Sequence, residues 1–295
     1  MEMRSFWNKG KIKAFACGAS AGREARDNSA ASEFLSSVSV VERQPLDRPD
    51  FIRSAKDMAS DSSVNLAAVL LALKRAELAG RSDVSAAELH HAARDIPVNP
   101  VWSVPSVILA GFEAGRAGKN YVSSADIRQA SGKIACPLRD AAPTVLLAVV
   151  NAELSGSETV DLDAAHAVIP ENTPNGAAAV LLAAERAKLK KAKSVAADDI
   201  ERALRDMPGN PRWNEAAVMI AAHNVFMRGG SEIGTQDLKK GLHEIVGESP
   251  SASAVSLLAV KRVELAAAAK RTNTKSRDEK LAAFIKAAMS RRQNI

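Results

Sequence analysis

Aromatic side chains are scarce in this chain: three Trp, one Tyr and seven Phe occur among 295 residues. Base stacking needs aromatic platforms, so single-strand nucleic-acid recognition loses its usual means. The two cysteines, Cys17 and Cys136, form no CxxC pair. That spacing excludes a zinc knuckle and a disulfide-framed scaffold, and each reads as a small buried or tail thiol. No apolar run approaches the roughly 18 residues that a membrane-spanning helix needs. Near the start, the apolar stretch Ala14 to Ala21 lacks leucine and is too short for a secretory signal, so it reads as uncleaved. GxxxxGK[ST], GxGxxG and GxSxG strings are all missing. The histidines His90, His91, His166, His223 and His243 show no HxxxH or HExxH spacing. Nothing therefore assigns a catalytic residue, a metal ligand or a cofactor, and the chain reads as non-enzymatic.

Alanine, by contrast, occurs 56 times. It is the strongest helix former because it loses no side-chain entropy, so the composition points to an all-α chain. Net charge is +6, unevenly placed. Residues 1–58 carry ten basic and eight acidic groups, whereas residues 261–295 carry ten and three. The body between them is close to neutral, unlike a groove that follows a phosphate backbone.

The phrase RDIPVNPVW (94–102) returns as RDMPGNPRW at 205–213, a shift of 111 residues. At that shift AAVLLALKRAEL (67–78) faces AAVLLAAERAKL (178–189), which marks an internal duplication. A finer period lies inside each copy. A Val-Leu-Leu-Ala-like core recurs at Val69, Val107, Val145, Val180, Val218 and Ser256, in steps of 38, 38, 35, 38 and 38 residues. After each core come a polar turn and a second amphipathic segment. Ser85-x-x-Glu88, Ser123-x-x-Asp126 and Ser276-x-x-Glu279 are capping signatures that satisfy free amides at a helix start. Pro97 and Pro100 stop the preceding helix, and Asn99 and Asn210 suit the turn. Trp102 and Trp213 are then expected to pack one hairpin on the next.

Paired helices of this length, with the "AL-x-x-x-P-x-N" junction in ALRDMPGNPRWNEAAVMIAAHNVFMRGG (203–230), resemble tetratricopeptide-type repeats. The resemblance implies a right-handed α-solenoid of six helix-turn-helix repeats and a protein- or peptide-binding role. The expected organisation is a mobile Ser/Ala-rich leader (1–58), two three-hairpin modules (59–174 and 175–288) and a basic tail (289–295). The polar, Ser-rich stretch at 28–50 resembles the N-terminus of bacterial type III effectors. That implies a protein cytoplasmic in the producing cell and secreted into a host cell without a cleaved signal peptide.

Binding is expected along one row of the first helices: Arg75, Glu113, Asn151, Arg186, Asn224 and Arg262, all polar within apolar surroundings. Such residues should face water or else leave polar groups unpaired in the core. With Lys74, Glu185, His223 and Lys261 beside them, they would form a partner-binding groove. Two other function classes compete with the scaffold. The basic clusters KLKKAK (188–193) and KRTNTKSRDEK (270–280) suit a nucleic-acid-binding helical array, and a site assembled across repeats would make an enzyme.

Overall fold

The structure is a computed structural model that describes residues 48–59, 63–97, 100–135, 140–170, 175–208, 213–245 and 251–266. Cys17, Cys136, Asn99, Asn210, the Ser276-x-x-Glu279 signature, the 270–280 cluster, the tail and most of the expected leader lie outside them. The described residues are helical, with no strand among them. In order the helices are α1 (Arg48–Ala59), α2 (Leu66–Leu78), α3 (Ala86–Asp95), α4 (Pro100–Arg116), α5 (Ser124–Lys133), α6 (Ala141–Ser155), α7 (Leu162–Val168), α8 (Gly176–Lys190), α9 (Ala197–Asp206), α10 (Asn214–Met227), α11 (Thr235–Glu244) and α12 (252–266).

Local chemistry sets the helix ends. The amides of Glu88 and Asp126 donate to Ser85 Oγ and Ser123 Oγ, while the Ser85 and Ser123 amides donate back to the carboxylates. In α9 and α11 only the return half exists: Ala196 and Gly234 donate to Asp199 and Asp237. The longer helices α2, α4, α6, α8 and α10 all finish through a left-handed residue, namely Gly80, Gly118, Gly156, Lys191 and Gly229. The amide after each reaches back to close the turn, as in Arg81 to the Ala76 carbonyl at 2.8 Å and Ala192 to Ala187 at 2.9 Å. Pro100 opens α4, where its missing amide costs nothing.

Each of α2, α4, α6, α8 and α10 packs on the shorter helix that follows it, and each of α2, α4, α6 and α8 on the next long helix. The long helices thus form one layer and the short ones a second. Leu71, Leu109, Leu147, Leu182, Ile220 and Leu258 stand at equivalent places on the long helices and are all fully buried. Each contributes about 1.5–3 kcal/mol of burial free energy. Crossings are close where residues are small: a Cβ on Gly241 of α11 would lie 2.5 Å from the Ala217 carbonyl oxygen of α10. Trp102 is half-buried and packs on the core, in line with its expected role between hairpins.

Two expectations need correction. Residues 48–58, assigned to a mobile leader, are helical, and Phe51, Ala55 and Met58 are buried in the main core at 6%, 3% and 6% exposure. Their spacing of four and three makes one apolar stripe, and Pro49 sits in the first turn, where proline is tolerated. Second, the expected solenoid would hold its first and last described helices apart, whereas here they touch. Arg262 of α12 donates to Ser54 and Asp57 of α1 and to the Val84 carbonyl before α3. Ala254, Val255, Leu257 and Leu258 share a hydrophobic cluster with Phe51, Leu71 and Val84.

Candidate functional site

The expected binding row does not form a water-facing ladder. Arg75, Arg186 and Arg262 are buried, at 5%, 7% and 4% exposure. Their guanidinium groups are not stranded, because each finds a backbone carbonyl on a neighbouring hairpin. Arg75 donates through Nε and Nη2 to the Val122 carbonyl at 2.8 and 2.6 Å. Arg186 repeats this on the Ile233 carbonyl at 3.0 and 2.7 Å, whereas Arg262 reaches the Val84 carbonyl through Nη2 alone. Asn151 makes a two-way version: its amide donates to the Val195 carbonyl, and its Oδ1 accepts from the Val195 amide at 2.7 Å. Val122, Val195 and Ile233 lie just before the caps of α5, α9 and α11, so Arg75, Asn151 and Arg186 staple α2, α6 and α8 to the next hairpin.

A second set of contacts ties the row to its own hairpin. Arg75 pairs with Asp95, Glu113 with Lys133 and Arg186 with Asp206, while Asn224 donates to Glu244. In each case the partner is the last residue of the following short helix. Arg75 also stacks on Tyr121, 4.1 Å from the ring centroid, and the Tyr121 hydroxyl donates to Asp95. Burial pushes the Tyr121 hydroxyl above its usual pKa despite the nearby Arg75 charge. The row is structural, which is why its residue types vary with their partners.

The flanking residues lie elsewhere. One turn of each long helix away from the staples, α2, α4, α6, α8 and α12 enclose a cavity of about 500 Å³. Leu70, Ile108, Leu146, Leu181 and Leu257 form its apolar floor. Lys74, Glu185 and Lys261, expected beside the ladder, line its middle, with Phe112 and Val150 at the equivalent places on α4 and α6. Glu77, Glu153, Lys188 and Glu264 stand one turn further on. Side-chain exposure rises from 24% at Lys74 to 62% at Glu77 and from 29% at Glu185 to 46% at Lys188, while Lys261 and Glu264 are about equally exposed, so the mouth opens toward the C-terminal ends of α2 and α8.

Ion pairs organise the wall: Lys74 with Glu77 at 3.1 Å, Lys188 with Glu185 at 2.7 Å and Lys261 with Glu264 at 2.6 Å. Each joins residues three apart on a helix, where side chains are neighbours. Burial lowers the Lys188 pKa, but the carboxylates of Glu185, Glu153 and Glu264 outweigh it and leave the ammonium above its ordinary value. Gly111 leaves room on α4 for the aliphatic stem of Lys74, whose Cγ would lie 2.9 Å from an added Cβ. His223 of α10 is the exception among the flanking residues. It is buried at 8% exposure, its Nδ1 has no hydrogen-bond partner, and burial holds its pKa below the usual value. Next to it on the same helix, Phe226 and Met227 are 59% and 65% exposed.

Sequence reasoning found the flanking cations but missed the cavity that they line. The signal was available: Leu70, Ile108, Leu146, Leu181 and Leu257 recur at the same place in their cores. Among the described residues no three His, Cys, Asp or Glu side chains are placed to hold a metal ion, and no helix is long and apolar enough to cross a membrane. Comparison with protein families, curated proteins and solved structures gives no match for this chain.

Proposed function

We propose that this protein is a non-enzymatic binding scaffold: six helical hairpins in two duplicated three-hairpin modules, joined end to end, that take a protein or peptide partner at the mouth of the central cavity. The cavity carries this reading. Its apolar floor, with Leu70, Ile108, Leu146 and Leu181 half-buried, can take a side chain or two of a partner segment, and its volume falls in the usual range for specific sites. The Lys–Glu pairs around the mouth supply donors and acceptors in fixed places, which fits recognition of a peptide backbone and its polar groups. The exposed Phe226 and Met227 add an apolar contact of the kind that partners cover.

The tetratricopeptide-like periodicity supports the same class of function, with the cavity mouth replacing the long groove. Composition at 28–50 extends the proposal to a secreted bacterial effector, made in the cytoplasm, that engages a host protein. The charge of the wall disfavours the nucleic-acid alternative, since each of its three lysines is already paired with a glutamate.

The test is affinity capture with mass spectrometry, using the wild-type chain and Leu181→Trp, which fills the floor. A partner held by the wild type and lost by Leu181→Trp, at unchanged helicity, supports the proposal. Equal capture by both proteins refutes the cavity mouth as the binding surface. Capture of nucleic acid that weakens steeply with salt refutes the scaffold in favour of the array.

A further inference from the structure

Arg262 differs from four of the other row residues in one respect: its side-chain partner does not come from its own hairpin. Arg75, Glu113, Arg186 and Asn224 each contact the residue twenty positions later, at the end of the following short helix. Twenty positions after Arg262 the sequence has Ala282, which offers no charge. Arg262 is instead paired with Asp57, 205 residues earlier in the chain, and with Asp83 just before α3, which Arg53 of α1 also holds.

Asp57 sits on α1 as Asp95 sits on α3 and Asp206 on α9. Six residues before each stands a buried apolar side chain, Phe51, Leu89 or Ile200, and three before stands a small buried one, Ser54, Ala92 or Ala203. A third match is independent of these. Arg53 of α1 donates to Asp83, and Arg202 of α9 donates to Glu232, both across thirty residues. Asp83 and Glu232 immediately precede Val84 and Ile233, the carbonyls that accept from Arg262 and Arg186.

We infer that α1 is the outer helix of the closing hairpin, paired with α12 across the two ends of the chain, and that it acts as a clasp on the central cavity. Leu257, Lys261 and Glu264 of α12 face Leu70, Lys74 and Glu77 of α2 across that cavity. Every other neighbouring pair of long helices is joined by the chain itself, whereas this pair is held by contacts alone. Releasing α1 removes the Ser54 and Asp57 contacts of Arg262 and opens the wall at the α12–α2 seam. Access to the cavity is thereby linked to a helix that follows directly on the N-terminal segment.

The inference is tested in full-length protein by charge exchange at the clasp. Asp57→Arg and Arg262→Asp are made singly and together, and the milder Asp57→Asn serves if a reversal does not fold. Two readouts follow the seam: amide hydrogen exchange of residues 252–266, and maleimide labelling of Leu257→Cys with Cys17 and Cys136 changed to serine. The single variants should raise both rates by about tenfold or more, a local opening, while exchange in α6 and α8 stays unchanged. The double exchange should bring both rates back toward the wild type. Unchanged rates in Asp57→Arg and Asp57→Asn overturn the inference. So does a response of α12 to Phe284→Asp but not to Phe51→Asp, which would assign the outer position to residues 276–288.

Discussion

Replacing Arg75 with Met keeps the length and apolar stem of the side chain and deletes its guanidinium. Three contacts are lost. The Val122 carbonyl loses both of its Arg75 donors, at 2.8 and 2.6 Å. A hydrogen bond from a charged group contributes about 1.5–3 kcal/mol, and a buried acceptor left alone costs about 1–3 kcal/mol. The stacking on Tyr121 adds roughly 0.5–1 kcal/mol. Asp95 is 35% exposed and regains water, so its share is small, under about 1 kcal/mol. These overlap rather than add, which gives a destabilisation of about 3 kcal/mol and a melting shift of roughly 6–12 °C for a body of this size. Glu113→Met is the control, because Glu113 occupies the same place but pairs with Lys133, whose side chain is 45% exposed. Its cost should stay under about 1 kcal/mol. Thermal and urea melts followed by circular dichroism measure both. Equal small effects in the two variants would refute the claim that the buried arginines staple the hairpins together.

Three further outcomes follow from the geometry. Gly241→Ala should destabilise by about 1–2 kcal/mol in urea melts despite the better helix propensity of alanine, because its Cβ would lie 2.5 Å from the Ala217 carbonyl oxygen. Lys191→Gly should stabilise by about 1 kcal/mol, as Lys191 is the one non-glycine residue described at positive φ, 53°, and stands where Gly80, Gly118, Gly156 and Gly229 cap the other long helices. His223 has a folded pKa below its unfolded value, so its contribution to stability is fully present above about pH 6.5 and is lost as the pH falls toward the folded value. His223→Gln should therefore flatten the loss of stability between about pH 7 and 5, and an unchanged pH profile would remove burial of the neutral ring as its cause.

Helix content, the hairpin spacing and the two capping boxes at Ser85 and Ser123 were legible in the sequence, because each depends on residues a few positions apart. The glycines at 80, 118, 156 and 229 follow the same spacing and would have placed the ends of the long helices. The orientation of Arg75 and Arg186 was not legible. A polar residue on an apolar helix was expected to face water, but a guanidinium can be buried wherever a carbonyl and a carboxylate meet it, and here the carbonyl lies 47 residues away. Such a partner is set by tertiary packing and leaves no mark near the arginine itself. The α1 helix failed for another reason. Phe51, Ala55 and Met58 carry a helical stripe, but it is short and adjoins a polar, Ser-rich stretch, and Pro49 stands in the first turn, where proline fits. The meeting of α12 with α1 joins residues more than 200 positions apart, beyond the reach of periodicity.

That meeting also bears on how the chain can change in length. In an open stack of hairpins, one more unit buries the same surface as the last, so units can be gained or lost at either end. Here the last long helix must arrive where Arg262 reaches Asp57 and Val84 at once. A duplicated or deleted hairpin would carry that guanidinium past both acceptors and leave a buried charge uncompensated, at a cost of about 3–5 kcal/mol. The number of hairpins is therefore coupled to a single side chain's need for partners, whereas changes within units, such as the 35-residue step between Val145 and Val180, leave that meeting in place.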